Sequence, residues 1–143
     1  MKTFRLFLSP LAGAVVGVIA NLALIAALAL LMMHTGPWAS GKWAVRVEMF
    51  VEQAVLFGLS GVAAGALAGW IGGREAGRAL GMLAGLLAWA AYLLLAVWQG
   101  GAEMIMQAPG VMAALYGTAL VATVVGGYLG ARVATKPRAV DNE

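Results

Sequence analysis

Few residues in this sequence have the chemistry for catalysis or tight ligation. There is one histidine, His34, and no cysteine. A lone histidine supplies neither a tetrahedral zinc site nor an imidazole pair for haem. Without cysteine, thiolate sites, disulfides and thiol nucleophiles are all excluded. Ser9, Ser40 and Ser60 have no base at a spacing that would activate a hydroxyl, and no glycine-rich phosphate loop follows a strand. The chain is therefore expected to be no enzyme, to bind no cofactor and to hold no metal.

Two polar features remain. Glu48 and Glu52 stand four residues apart, on one face of any helix that holds them, and Glu103 with Gln107 repeats the spacing. Carboxylates at a helix N-terminus are stabilised by the macrodipole, so solvated interfacial acids are the plain reading. The sharper one is an outer vestibule that draws cations, with Glu52 the deepest member. Asn21 lies mid-way along a long apolar run. An amide in hydrocarbon usually bonds across to a neighbouring helix, for about 1 to 2 kcal/mol or less; ligation of a solute or ion is the alternative. Asn21, Glu48, Glu52 and Glu103 together mark a candidate solute path.

The elements that must position these groups follow from composition. Of 143 residues, 63% are hydrophobic and 10% charged, with a mean hydropathy of +0.92. About a quarter of the residues in a soluble domain are charged, so a soluble globular fold is excluded. No Asp, Glu, Lys or Arg falls in 6–33, 53–73, 79–102 or 104–131, and a span across a bilayer needs about 20 such residues. The runs are continuously apolar rather than alternating, which favours helices over barrel strands. A single membrane domain over 1–143 is expected, with transmembrane helices at approximately 6–33, 48–73, 77–99 and 104–132. Lys2 and Arg5 ahead of the first run imitate a secretory signal, but a signal core is only about 7 to 15 residues long, so this helix is expected to be retained.

Basic residues orient the helices. Lys2, Arg5, Arg74, Arg78, Arg132, Lys136 and Arg138 fall on one side and only Lys42 and Arg46 on the other. Loops rich in Lys and Arg stay cytoplasmic, so both termini are expected in the cytoplasm, with the protein in a bacterial inner membrane and one insertion direction. Trp38, Trp43, Trp70, Trp98 and Tyr128 fall at helix ends, as an interfacial aromatic belt requires. The net charge of +3 and pI near 9.7 come from scattered residues that form no basic stripe, so no nucleic acid is expected. The lipid bilayer is the expected partner of those charges.

An internal repeat is legible. Gly69-Trp70-Ile71-Gly72-Gly73-Arg74 matches Gly127-Tyr128-Leu129-Gly130-Ala131-Arg132, and Gly13/Gly17 matches Gly81/Gly85. Two tandem helical hairpins of like orientation, related by an axis along the membrane normal, would produce this pattern. Glycines also recur every fourth residue at Gly61, Gly65, Gly69 and Gly73 and again at Gly77, Gly81 and Gly85. Such stripes permit close backbone approach, the main source of helix association in lipid. They predict that the second and third helices touch almost backbone to backbone. Gly126 and Gly130 give the fourth helix a small face available to a partner.

The sequence lacks the mid-membrane carboxylate found in small multidrug exporters and in rotor-ring subunits of rotary ATPases. No buried titratable group is thus expected to bind and release a proton. The resulting reading is an all-α integral membrane protein of four helices, non-catalytic. Its expected role is that of a structural or accessory subunit packing through Gly/Ala faces in a homo-oligomer or larger membrane complex. The alternative is a small channel or transporter for an ion or small solute.

Overall fold

The computed structural model describes residues 2–36, 42–73 and 77–135; of these, the side chains of 2, 42–46, 101, 102, 104 and 105 are not described. The described residues contain helices and no strand. Helix α1 spans Lys2–Thr35, α2 Lys42–Gly72, α3 Gly77–Ala96, α4 Ala102–Gln107 and α5 Pro109–Ala134; a kinked segment at Val97–Gly101 joins α3 to α4. Four of the helices are long and apolar enough to cross a membrane, at Thr3–Thr35, Val47–Gly72, Gly77–Gly100 and Pro109–Ala134.

Local chemistry explains where these helices stop. Gly36 and Gly73 take left-handed φ values of 75° and 78°, and their N–H groups donate to Met32 O and Gly69 O at 2.9 and 3.0 Å. Both are glycine caps that close orphan carbonyls at a helix C-terminus. Gly73 is therefore a cap: a Cβ there would meet nothing within 4 Å, so it is not the packing residue its spacing suggested. Gly100, at φ 96°, breaks the run after α3. The fourth span begins at Pro109 rather than near 104, because Pro at the first helical position needs no hydrogen bond and Ala108 before it is non-helical at φ −141° and ψ 64°. Pro10 lies inside α1 and cannot donate to Leu6 O. The Ser9 hydroxyl, fully buried, donates to that carbonyl at 3.4 Å, the side-chain compensation a proline in lipid requires.

The core is built from small residues. Ala14, Ala64, Ala68, Ala84, Ala88, Ala119 and Ala131 are buried, whereas Phe4, Phe7, Leu11, Ile19, Leu94 and Val133 are exposed. This is the distribution of a bundle whose outer surface meets hydrocarbon and whose helices associate by close approach.

The glycines set the registers. A Cβ on Gly61, Gly65 or Gly69 would lie 2.9, 2.6 and 2.8 Å from the Cα of Thr123, Gly127 and Ala131. The constant offset means that α2 and α5 run parallel in close contact. Gly81 and Gly85 on α3 meet the same segment of α5 in the opposite sense, 2.5 Å from Ala131 Cβ and 2.5 Å from Thr123 O. Gly13 on α1 faces Ala84 and Ala68, and Gly17 faces Ala88 and Ala64, so α1 runs parallel to α3 and antiparallel to α2.

The stripes of α2 and α3 therefore converge on α5 instead of meeting each other, which corrects the expectation from spacing. Between α2 and α3 the glycine contact is at the turn end, where a Cβ on Gly77 would lie 3.6 Å from Gly69 Cα, while further along side chains such as Phe57 and Tyr92 fill the interface. The reason is that Gly127 offers a second bare backbone to which both stripes can close. Helices α2 and α3 each pack on all three other long helices, whereas α1 and α5 stay apart.

Candidate functional site

Among the described residues the buried polar side chains are Ser9, Asn21, Ser60 and Thr123. Three are satisfied within their own helix, since a hydroxyl can reach back to a carbonyl one turn earlier. Ser60 Oγ donates to Phe57 O at 3.0 Å and Thr123 Oγ1 to Ala119 O at 2.6 Å, as Ser9 does to Leu6. Asn21 is the exception. Only 2% exposed, it finds no hydrogen-bond partner for either its amide nitrogen or its carbonyl oxygen. The cross-helix hydrogen bond expected of it is absent.

The registers locate Asn21. One turn beyond Gly17 on the same face of α1, it comes level with Leu56 and Ser60 of α2 and with Tyr92 of α3 by the offsets that Gly13 and Gly17 define. Tyr92 stacks edge-on against the buried Phe57, with ring centroids 4.8 Å apart and planes at 81°. On α2 the stripe Glu48, Glu52, Leu56, Ser60, Ala64 repeats every fourth residue, and its inner members face α1. Glu48 and Glu52 are half-buried, and each has one carboxylate oxygen buried without a partner. At a rise of about 1.5 Å per residue, Glu52 lies about 6 Å deeper than Glu48, and Asn21 about one further turn in.

The remaining candidates are not brought here. Glu103 is exposed on α4, a helix that packs on the adjoining kinked segment and on α5, and Gln107 is exposed beside it. Of the three acids named as a candidate path, Glu48 and Glu52 share a face of α2 and Glu103 is not brought to them. His34 is exposed at the end of α1, its ring nitrogen 2.8 Å from Leu30 O. Among the described residues no cluster of three or more His, Cys, Asp or Glu could hold a metal.

Gly126 and Gly130 are buried against α2, where a Cβ would lie 2.9 Å from Val62 N and 2.8 Å from Ala66 N. They are occupied within the chain and not free for a partner. At the opposite end of the bundle from the glutamates, Arg78 lies 6.0 Å from the centroid of the Tyr128 ring. Trp70 and Trp98 are exposed at helix ends, whereas Trp38, Arg74, Lys136 and Arg138 lie outside the described residues.

Sequence reasoning missed three elements of this interior. Ser60 shares the four-residue spacing of Glu52, a signal that was readable. The Phe57–Tyr92 stack and the bond from Trp89 Nε1 to Tyr116 O at 3.1 Å depend on how α3 is rotated against α2 and α5, which no spacing reveals. Compared with known protein families, curated proteins and solved structures, the chain matches none.

Proposed function

We propose that this is a non-catalytic integral membrane protein that binds and passes an ion or small polar solute through its interior, in the manner of a small channel or transporter. The observation that carries the reading is Asn21, whose donor and acceptor are both buried and unpaired. A group of that kind costs about 1 to 3 kcal/mol, so its presence calls for something that satisfies it. The two glutamates supply an approach to it from one end. Two like hairpins, α1–α2 and α3–α5, are the proposed frame: Gly13 and Gly17 seat α1 on α2 as Gly81 and Gly85 seat α3 on α5. The bacterial inner membrane and cytoplasmic termini are supported by the bias of Lys and Arg.

An accessory-subunit role has a different support. Helix α1 is the least buried span, and with α3 it forms an apolar groove of about 560 Å³ lined by residues including Leu11, Val15, Val18, Leu87 and Leu94. A partner helix or a lipid chain could lie in it. Efflux from vesicles reconstituted with the purified chain separates the two roles. With a panel of small ions and uncharged solutes, a conduit gives efflux above protein-free vesicles that Asn21→Leu and Glu52→Leu abolish. Efflux at the protein-free level for every solute overturns the conduit and leaves the subunit.

A further inference from the structure

We propose that the groove between α1 and α3 holds one acyl tail of an anionic phospholipid, whose phosphate lies at the Arg5 end. This holds whether or not the polar interior conducts. A Cβ on Gly13 would lie 2.9 Å from Ala84 Cβ and one on Gly17 3.0 Å from Ala88 Cβ, so the two helices run parallel, in contact through small residues. Beside that contact Leu11, Ala14 and Val15 of α1 and Leu87, Ala91 and Leu94 of α3 line the groove of about 560 Å³, and no polar side chain joins them. The register puts Leu94 about twelve residues further along than Leu11, so the groove is about 18 Å long at a rise of about 1.5 Å per residue. Its mean cross-section is then about 30 Å², whereas a helix about 10 Å across with its side chains needs about 80 Å². A partner's transmembrane helix is too wide to enter it. A single hydrocarbon chain is not.

The depth of the groove fixes which end the headgroup takes. Exposed Trp70 and Trp98 mark the two interfaces. A Cβ on Gly72 would lie 3.4 Å from Ser9 Oγ, which brings Trp70 level with Leu11. The groove thus opens at the interface beside Leu11 and stops at Leu94, one turn short of Trp98. One leaflet contributes about 15 Å of a hydrocarbon core about 30 Å thick. Tails in a fluid leaflet are bent, so one tail held straight from the Leu11 end reaches past that depth and fills the groove. Arg5 is exposed about 9 Å beyond Leu11, at the depth of a phosphate rather than of a tail. Arg78 at the same end lies over the Tyr128 ring, and Arg132 stands on α5, which stays apart from α1. Arg5 is therefore the described base placed to meet the headgroup, and a base at the membrane surface favours an anionic one. Helix α1 gains most, as the least buried span, because contact and charge are what hold a chain in place in hydrocarbon.

The test is thermal unfolding of the purified full-length chain in a neutral maltoside detergent, titrated with phosphatidylglycerol or with phosphatidylcholine of identical tails. A ligand that binds only the folded state raises the midpoint in a saturable manner. A saturable rise is expected with both lipids, reached at a several-fold lower concentration with phosphatidylglycerol. Ala91→Phe sets a ring in the groove from an exposed position and should abolish both rises, whereas Val121→Phe, exposed on α5, should keep them. Arg5→Gln should keep both rises and remove the preference. No rise in the unaltered chain, or rises undiminished in Ala91→Phe, would overturn the lipid site. A preference undiminished in Arg5→Gln would overturn the placement of the phosphate. Native mass spectrometry of the unaltered chain reads the occupant directly. One phospholipid per chain is expected; a lipid-free dimer would give the groove to a second copy and overturn the lipid.

Discussion

Asn21 is held in place by its neighbours rather than by its own bonds. Gly17 brings α1 so close to Ala64 and Ala88 that the amide one turn further along cannot turn outward to lipid, and it gains nothing inside. Leucine has the same branched heavy-atom skeleton, with a larger volume, and no polar atom. In ion-free detergent Asn21→Leu should therefore raise stability by about 1 to 3 kcal/mol, the cost of an unsatisfied buried polar group, read as a higher unfolding midpoint. A lower midpoint would mean that the amide has a structural partner. Trp89 presents the converse case. Its indole N–H ties α3 to Tyr116 O, so Trp89→Phe should cost about 1 kcal/mol, measured in the same melt. At this scale the sequence showed that Asn21, Glu48 and Glu52 were the polar residues of interest. It could not show that Asn21 is unpaired, because that depends on what α2 and α3 present at its level.

Helices in this bundle are fitted to one another by the absence of side chains. Gly65 has the backbone of Gly127 where a Cβ would go, and Gly127 in turn faces Gly81, so three helices close on one point. Even alanine there forces the backbones apart, and overpacking costs about 1 to 3 kcal/mol. Gly65→Ala and Gly81→Ala should lower the unfolding midpoint clearly. Gly117→Ala, on α5 with nothing within 4 Å, should leave it unchanged or slightly higher. Equal losses at Gly65 and Gly117 would contradict the packing. Gly73→Ala should also destabilise, by about 1 to 2 kcal/mol, for a different reason: alanine resists the left-handed conformation of the cap. The four-residue spacing revealed which glycines are buried, with Gly73 the exception. It did not reveal their partners, since a stripe has no address until the rotation of each helix is set. The start of α5 was readable from Pro109, a helix-start signal passed over in favour of the uncharged run that begins at Met104.

In the whole molecule the contact registers bring Arg5, Arg78 and Arg132 to one end and Glu48 and Glu52 to the other. A reporter active only in the cytoplasm, fused after Glu143, should be active, and the same reporter inserted between Trp38 and Lys42 should be silent; the opposite pattern would reverse the orientation. The four apolar helices were legible in composition and run length alone. Their asymmetry was not: α2 packs on α3 while α1 stays apart from α5, although a two-fold axis relating the hairpins would make those contacts equivalent. Whether the interior strip is reached by water is the question on which the function turns, and the absence of cysteine from the chain makes it measurable. Asn21→Cys would carry the sole thiol, in reconstituted vesicles exposed to a membrane-impermeant cationic thiosulfonate, with Ile19→Cys on the lipid-exposed face of α1 as the reference. The thiolate attacks the reagent's sulfur, forming a mixed disulfide and expelling sulfinate, and the thiolate forms in water and not in hydrocarbon. Labelling at position 21 well above that at 19, entering from the Glu48 and Glu52 end and slowed by Glu52→Gln, is the expected result. Labelling at 21 no faster than at 19 would contradict the polar path.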